Sequence, residues 1–319
     1  MTSITLALDR PRSEPTNPAI ALRGVSKRFG AVTAVDSVDL QVQRGELFGL
    51  IGHNGAGKST LFKMMLGLIP VSAGAITVAG AAVSGPDFRA ARRQIGYLPE
   101  NLVLYDNLSG LETLRFFARL KGAEAASCPA LLDRVGLGSS GAKPVRDYSK
   151  GMRQRLGFAQ ALLGRPQVLF LDEPSNGLDP SAIRDFYAAL QELRAQGVTV
   201  LITSHILAEL QQRVDRLAIM ANGRIQALGS VQALREQQDL PLTISLRIDP
   251  PSLPALRVSL QAMPALRLSG KSDGTGALEL QCPRAHKMAA LALLAGRVLD
   301  LQIREPSLED LFFELRAAA

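Results

Sequence analysis

Tryptophan is missing from this chain of 319 residues, aromatic residues make up 5% of it, and it holds two cysteines and three histidines. Cys128 and Cys282 stand alone, with no C-x-x-C and no paired spacing, which excludes a disulfide framework and a cysteine-built metal site and suits a reducing compartment. Long apolar runs are missing too. The longest uncharged stretch, residues 64–86, is broken by Gly67, Pro70, Gly74, Gly80 and Gly85, whereas a spanning helix needs about 20 predominantly apolar residues. No segment is expected to cross a membrane, so work at one would go through a partner. Residues 1–18 carry Pro11, Pro15 and Pro18 and an apolar run too brief for a secretory core, and read as a disordered N-terminal extension. A concentrated basic stripe is absent as well: the net charge is +7, but the cations are scattered. The charge points to an anionic ligand or an acidic surface, and nucleic acid is not expected. What is present is 47% apolar residues, enough for packed cores in two domains.

The stretch at residues 49–60 organises the rest. Gly52, four intervening residues, then Gly57, Lys58 and Ser59 follow the G-x-x-x-x-G-K-[ST] spacing of a phosphate-binding loop. Leu47, Phe48, Leu50 and Ile51 before it read as a buried strand, and Leu61, Phe62, Met65 and Leu66 after it form a helical stripe. The loop thus opens onto a helix N-terminus, where free N–H groups face an anion and Gly52, Gly55 and Gly57 let the main chain wrap phosphates. Lys58 would neutralise β- and γ-phosphate charge, and Ser59 would ligate Mg2+.

Upstream, residues 20–25 and 38–42 alternate as strands with Phe29 and Gly30 on the turn between them; Phe29 is either a platform for a base or a core residue. Residues 76–78 look like an edge hairpin, and 95–98 like a strand running into Pro99, Glu100 and Asn101. From about 87 to 164 the pattern is mostly helical, with a capping box at Ser109 and Glu112. Ser149 caps a further helix and, with Gly151, makes a second anion seat some 90 residues after the first. Residues 168–171 form a continuous apolar strand ending in Asp172 and Glu173, the pattern of a buried parallel strand whose C-terminal end gathers ligand chemistry. Asp172 would hold Mg2+ directly or through water, and Glu173 would orient or deprotonate an attacking water. His205, just past a strand at 198–203, is placed to reach a γ-phosphate.

In this order the motifs resemble those of ABC-type ATPases over residues 19–236. The resemblance implies that residues 52–59, with Asn54 and Thr60, hold ATP, that residues 168–173 supply the metal and catalytic carboxylates, and that Gly177, Leu178 and Asp179 form the D-loop. It further implies that Phe29 stacks on adenine, that His205 is the switch histidine, and that residues 148–152 stand where the family carries its signature. By the same resemblance two copies pair head to tail, so that Ser149 and Gly151 of one face the ATP held by Lys58 of the other. Two departures are visible. Lys150 and Met152 replace the usual Gly and Gln of the signature, and Glu100 stands at the Q-loop glutamine position, where it is assigned a role in sensing Mg2+.

Residues 237–319 are expected to form an accessory domain. Strand, helix, strand, strand, helix, strand, at 242–248, 253–260, 266–268, 278–282, 288–294 and 299–303, is a ferredoxin-like order, followed by a last helix from Ser307. The fold class is therefore α/β, an ABC-type ATPase domain with a helical subdomain at about 87–164, plus a small α+β domain.

Short words at 97–101, 117–122, 148–155 and 286–287 are similar to those of the ATPases that serve the maturation of nitrous oxide reductase, a copper enzyme. The resemblance implies a cytoplasmic ATPase on the inner face of the plasma membrane, joined to an integral membrane permease and to a possible periplasmic component. Residues 87–148 are the expected docking face. The alternatives are the ATPase of another exporter, for drugs, lipids or ions; a soluble ATPase acting on nucleic acid or ribosomes; and a regulator whose terminal domain binds a small ligand.

Overall fold

A computed structural model describes residues 17–237, 241–261, 263–269 and 277–305; most of the N-terminal extension and the helix expected from Ser307 lie outside them. The described chain opens with β1 (Ile20–Phe29) and β2 (Val32–Val42), paired antiparallel. Both are longer than the strands expected at 20–25 and 38–42. Register shifts between Leu22 and Val25, Val25 and Lys27, and Lys27 and Arg28 break the two-residue alternation from which a half-buried strand is read.

Next come β3 (Leu47–Gly52), α1 (Lys58–Met65), β4 (Ala73–Val78), β5 (Ala81–Ala82), α2 (Phe88–Ala91) and β6 (Ile95–Leu98). β4 and β5 form the edge hairpin of an antiparallel sheet ordered β2-β1-β4-β5. Three helices follow: α3 (Gly110–Lys121), α4 (Cys128–Arg134) and α5 (Lys150–Leu162). The capping box at the start of α3 forms as the sequence predicts, with Ser109 Oγ accepting from Glu112 N and Glu112 Oε2 accepting from Ser109 N. β7 (Val168–Leu171), α6 (Pro180–Ala195), β8 (Thr199–Ser204), α7 (Leu207–Leu210), β9 (Arg216–Ala221), β10 (Arg224–Gly229) and α8 (Val231–Gln237) complete this part.

A six-stranded sheet in the order β10-β9-β3-β8-β7-β6 is parallel throughout except at its β9–β10 edge. β6 belongs to it and is the strand expected at 95–98, with α2 before it and α3, α4 and α5 after it within the helical stretch at 87–164. Alternation along the central strands divides the hydrophobic cores. Phe48, Leu50, Val168, Phe170 and Leu201 pack with α1 and the antiparallel sheet, while Leu47, Ile51, Leu169, Leu171, Val200 and Ile202 pack with α3, α5 and α6. Covered on both faces, β3, β7 and β8 are buried along their whole length, as continuous apolar runs require.

The remaining elements are β11 (Leu242–Arg247), α9 (Leu253–Gln261), β12 (Arg267–Leu268), β13 (Ala277–Cys282), α10 (Lys287–Leu294) and β14 (Asp300–Arg304). Their antiparallel order, β12-β13-β11-β14, is the ferredoxin-like arrangement. Leu242, Ile244, Leu246, Leu278, Leu280 and Cys282 fill a separate core with Leu256, Leu260, Ala290 and Leu294, which makes Cys282 a packing residue.

Phe62 of α1 meets Phe170 of β7 edge to face at 5.4 Å, both fully buried, and thereby fixes the helix after the phosphate loop against the strand that carries the acidic pair. Phe62→Ala is expected to lower unfolding free energy by about 3–5 kcal/mol in a denaturant titration.

Candidate active site

The phosphate loop is held from behind by backbone. An added Cβ at Gly52 would come within 2.6 Å of Met220 O, and one at Gly57 within 2.6 Å of Ala34 O. Gly57, with φ +102°, is the N-cap of α1, and Gly55 has φ +84°, so both sit in the region that favours glycine. Gly223, in the β9–β10 turn, braces the loop: its N–H donates to Ala56 O at 3.1 Å and its carbonyl accepts from Asp36 N at 2.9 Å. Asn54, Gly55 and Ser59 are exposed along the loop, and Thr60 is half-buried. A chain of this shape presents α1 N–H groups outward while its own side chains stay clear, which fits a string of phosphates.

Lys58 turns inward. Its ammonium donates to Gly52 O at 2.5 Å and His53 O at 3.3 Å and lies 3.8 Å from Glu173 Oε1, with the Lys58 and Glu173 side chains only 7% and 8% exposed. Burial pulls the Lys58 amine below its ordinary pKa, against the opposing pull of Glu173, Asp172 and Glu100. For Asp172 burial acts in the other direction and raises the carboxyl, helped by the charges of Glu100 and Glu173 and opposed by a Thr203 hydrogen bond and Lys58. Three carboxylates therefore share the neighbourhood of one ammonium. That surplus of negative oxygen donors, with the Ser59 hydroxyl on the adjoining loop, fits a small hard dication such as Mg2+.

The acidic pair is set by β8. Thr203 Oγ1 donates to Asp172 Oδ1 at 2.7 Å and accepts from Glu173 N at 2.8 Å, so one buried hydroxyl orients both residues. Glu173 has φ +48°, a left-handed conformation that costs a non-glycine residue of order 1–3 kcal/mol. Its Oε2 accepts from His205 N at 3.3 Å and pairs with His205 Nδ1 at 2.7 Å. That pairing puts a proton on Nδ1 and leaves Nε2 of a half-exposed ring for an outside partner.

Lys58, Glu100, Asp172, Glu173 and His205 thus converge. Phe29, Ser149, Gly151 and Asp179 do not: among the described residues no hydrogen bond, ion pair or ring contact joins them to that group. The Phe29 ring is 49% exposed with the Lys27 ammonium 5.0 Å from its centroid, so it is not part of the core. It pairs with Val32, two residues along β2 from Ala34, whose carbonyl lies against Gly57. Ser149 caps α5, accepting from Met152 N at 3.2 Å. Asp179 spends its carboxylate on capping α6, accepting from Ser181 N and Ala182 N at 2.9 Å each. The start of α5 is fastened to the loop after Glu173: Gln154 Nε2 donates to Pro174 O at 3.0 Å, and the Lys150 stem fills the space where a Gly177 side chain would be.

Thr203 and Gly223 were not evident from sequence. A threonine after Val-Leu-Ile in a fully buried strand was the available signal, since a buried hydroxyl needs a partner. Nothing in the Asn-Gly turn at 222–223 points to a loop some 165 residues earlier.

The raised pKa of Asp172 means that the folded state takes up a proton more readily than the unfolded chain, so its ionisation costs stability as pH rises through that window. Asp172→Asn keeps an acceptor for Thr203 and removes the ionisation. At neutral pH its Tm, read by calorimetry without Mg2+, is expected to equal or exceed that of the parent, while MgATP hydrolysis falls about 100-fold or more.

A family model described as ABC transporter matches residues 35–176. The chain is 35% identical over 301 residues to an uncharacterised ABC transporter ATP-binding protein of Bacillus subtilis, covering 93% of this chain and 95% of that one. It is 36% identical over 308 residues to a daunorubicin resistance ATP-binding protein of Streptomyces coeruleorubidus, again covering 93% and 95%. Among solved structures, an ATP-binding subunit of an ABC transporter aligns with a TM-score of 0.64 at 36% identity, over 69% of this chain and 93% of that one. With a phosphate loop, an acidic pair and a histidine brought together on this sheet, the chain belongs to the ATP-binding proteins of ABC transporters and is an ATPase.

Proposed function

We propose that two copies of this chain close head to tail around two MgATP and drive a separate membrane permease that exports its cargo. The observation that carries the reading is the Glu173 carboxylate held between Lys58 and His205 beside the phosphate loop. Loop N–H groups, with Gly52, Asn54, Gly55, Gly57 and Thr60, would bind the phosphates, and Phe29 would stack on the base. Glu173 would align the attacking water in line with the γ-phosphate, while Lys58 and His205 would stabilise the charge on the departing oxygens. Mg2+, held by Ser59, Asp172 and Glu100, would neutralise charge on the β- and γ-oxygens when bound.

Pairing is supported by the separation of the two anion seats. Ser149 and Gly151 lie at the N-terminus of α5, and among the described residues no hydrogen bond or ion pair joins them to Lys58, so each copy would complete its partner's site, together with Asp179. Docking to a permease is supported by an exposed apolar strip on the expected face: Val103, Tyr105, Phe116 and Leu120, with Tyr105 and Phe116 edge to face at 5.6 Å. Among the described residues no helix is long and apolar enough to cross a membrane, so attachment to its inner face would go through that strip. Residues 19–236 and 237–319 are proposed as the two domains.

The similarity to a daunorubicin resistance protein over nearly the whole chain supports a drug-like cargo. A second reading, service to the copper sites of nitrous oxide reductase with a periplasmic component, is supported by the short words at 97–101, 117–122, 148–155 and 286–287. Cys128 and Cys282 are buried in different cores, so under that reading the metal would be handled by partners.

Glu173→Gln is expected to lower turnover by roughly 10²–10⁴-fold and to accumulate a dimer with MgATP in light scattering. A monomer under those conditions would sink the paired site. Tagged protein is expected to bring down a multi-span membrane protein, and Phe116→Ser combined with Tyr105→Ser to release it without changing ATPase activity of the isolated chain. A pool that never associates with membrane would remove the transport reading.

A further inference from the structure

Behind the catalytic carboxylate lies a buried polar cluster that ATP chemistry has not used. Ser175, two residues past Glu173 and buried, donates its hydroxyl to Glu209 Oε2 at 2.9 Å. Glu209 stands on α7, four residues past His205. The segment 205–209 therefore grips the segment 173–175 twice, through His205 on Glu173 and through Glu209 on Ser175.

The rest of the cluster is unfinished. Glu209 Oε1, the Tyr187 hydroxyl and Arg213 Nη1 are buried, and among the described residues none of the three makes a hydrogen bond of good geometry, although Tyr187 and Glu209 lie within reach of one another. One is an acceptor and two can donate. They are neighbours: the Arg213 guanidinium lies 4.1 Å from the centroid of the Tyr187 ring, and the Tyr187 phenol is pushed well above its ordinary pKa by burial first and then by the Glu209 charge. Orphaned polar groups in a low-dielectric setting are costly, and a small shift of α7 would let them satisfy one another. Tyr187 belongs to α6, the helix that Asp179 caps, so such a shift would reach the D-loop through a rigid element.

We infer that Glu209 is a positioning residue: through Ser175 it holds Glu173 in its left-handed conformation, and through Tyr187 and Arg213 it links the His205 segment to α6. It touches no reacting atom. Its effect is to keep the Glu173 carboxylate aligned, where a displacement of 1 Å is worth up to about 10²-fold in rate. The inference rests on ATP hydrolysis at Glu173.

The test is steady-state ATPase kinetics on the purified full chain. Ser175→Ala and Glu209→Ala are each expected to lower kcat roughly 10- to 100-fold while KM for ATP stays within about twofold. The double variant should lose no more than the worse single one, because both remove one link. Glu209→Gln keeps an acceptor for Ser175 and should return kcat to within about threefold of the parent. The clasp is wrong if Ser175→Ala lowers Tm with kcat unchanged, if the losses of the two single variants multiply, or if Glu209→Gln is as slow as Glu209→Ala. Those results would leave the exporter reading standing, whereas unimpaired turnover in Glu173→Gln would sink that reading itself.

Discussion

The constraint on which this structure depends is the presence of one ammonium and several carboxylates at the end of a sheet buried on both faces. Lys58 and Glu173 are each more than nine-tenths covered and 3.8 Å apart, and neither would survive alone in such a place. β8 sets their level: Ile202 pairs with Leu171 of β7 on one side and with Gly49 of β3 on the other, so that Glu173, two residues past Leu171, comes near the end of β3. The packing that hides the strands, including the Phe62–Phe170 contact, also lowers the dielectric around the charges and strengthens their influence on one another. Core and chemistry are therefore the same piece of architecture.

Cohesion of the site comes from groups that serve two neighbours at once. The Thr203 hydroxyl gives to Asp172 and receives from Glu173. The Ala34 carbonyl lies against Gly57 and Gly223 together. Asp179 is bound to the first turn of α6 and so ties the end of the loop before it to that helix. Such sharing makes the local backbone strain at Glu173 affordable: a left-handed glutamate persists because its N–H and both carboxylate oxygens are engaged on different sides.

Much of this was legible in the sequence, and for identifiable reasons. The phosphate loop reads clearly because its glycines, lysine and serine sit in one continuous stretch, and β7 reads clearly because a doubly covered strand needs an unbroken apolar run. The ferredoxin-like order was visible in the alternation at 242–246 and 278–282. What escaped was long-range. Thr203, Gly223 and Glu209 act on residues 30 or more positions away, and no local spacing encodes such pairings. β1 is longer than its alternation suggests because its bulges scramble the period, and residue type alone does not distinguish an exposed Phe29 ring from a buried one.

The Lys150 stem resting on Gly177 carries a consequence for how the chain can drift. A Cβ at 177 would come within 2.5 Å of Lys150 Cδ and Cε, a contact that a flexible lysine relieves by swinging aside, but it would also have to adopt φ +83°, so it is the backbone and not the lysine that holds position 177 to glycine. Position 150 is therefore free to change without releasing position 177, whereas a change at 177 has first to undo a left-handed turn of the main chain.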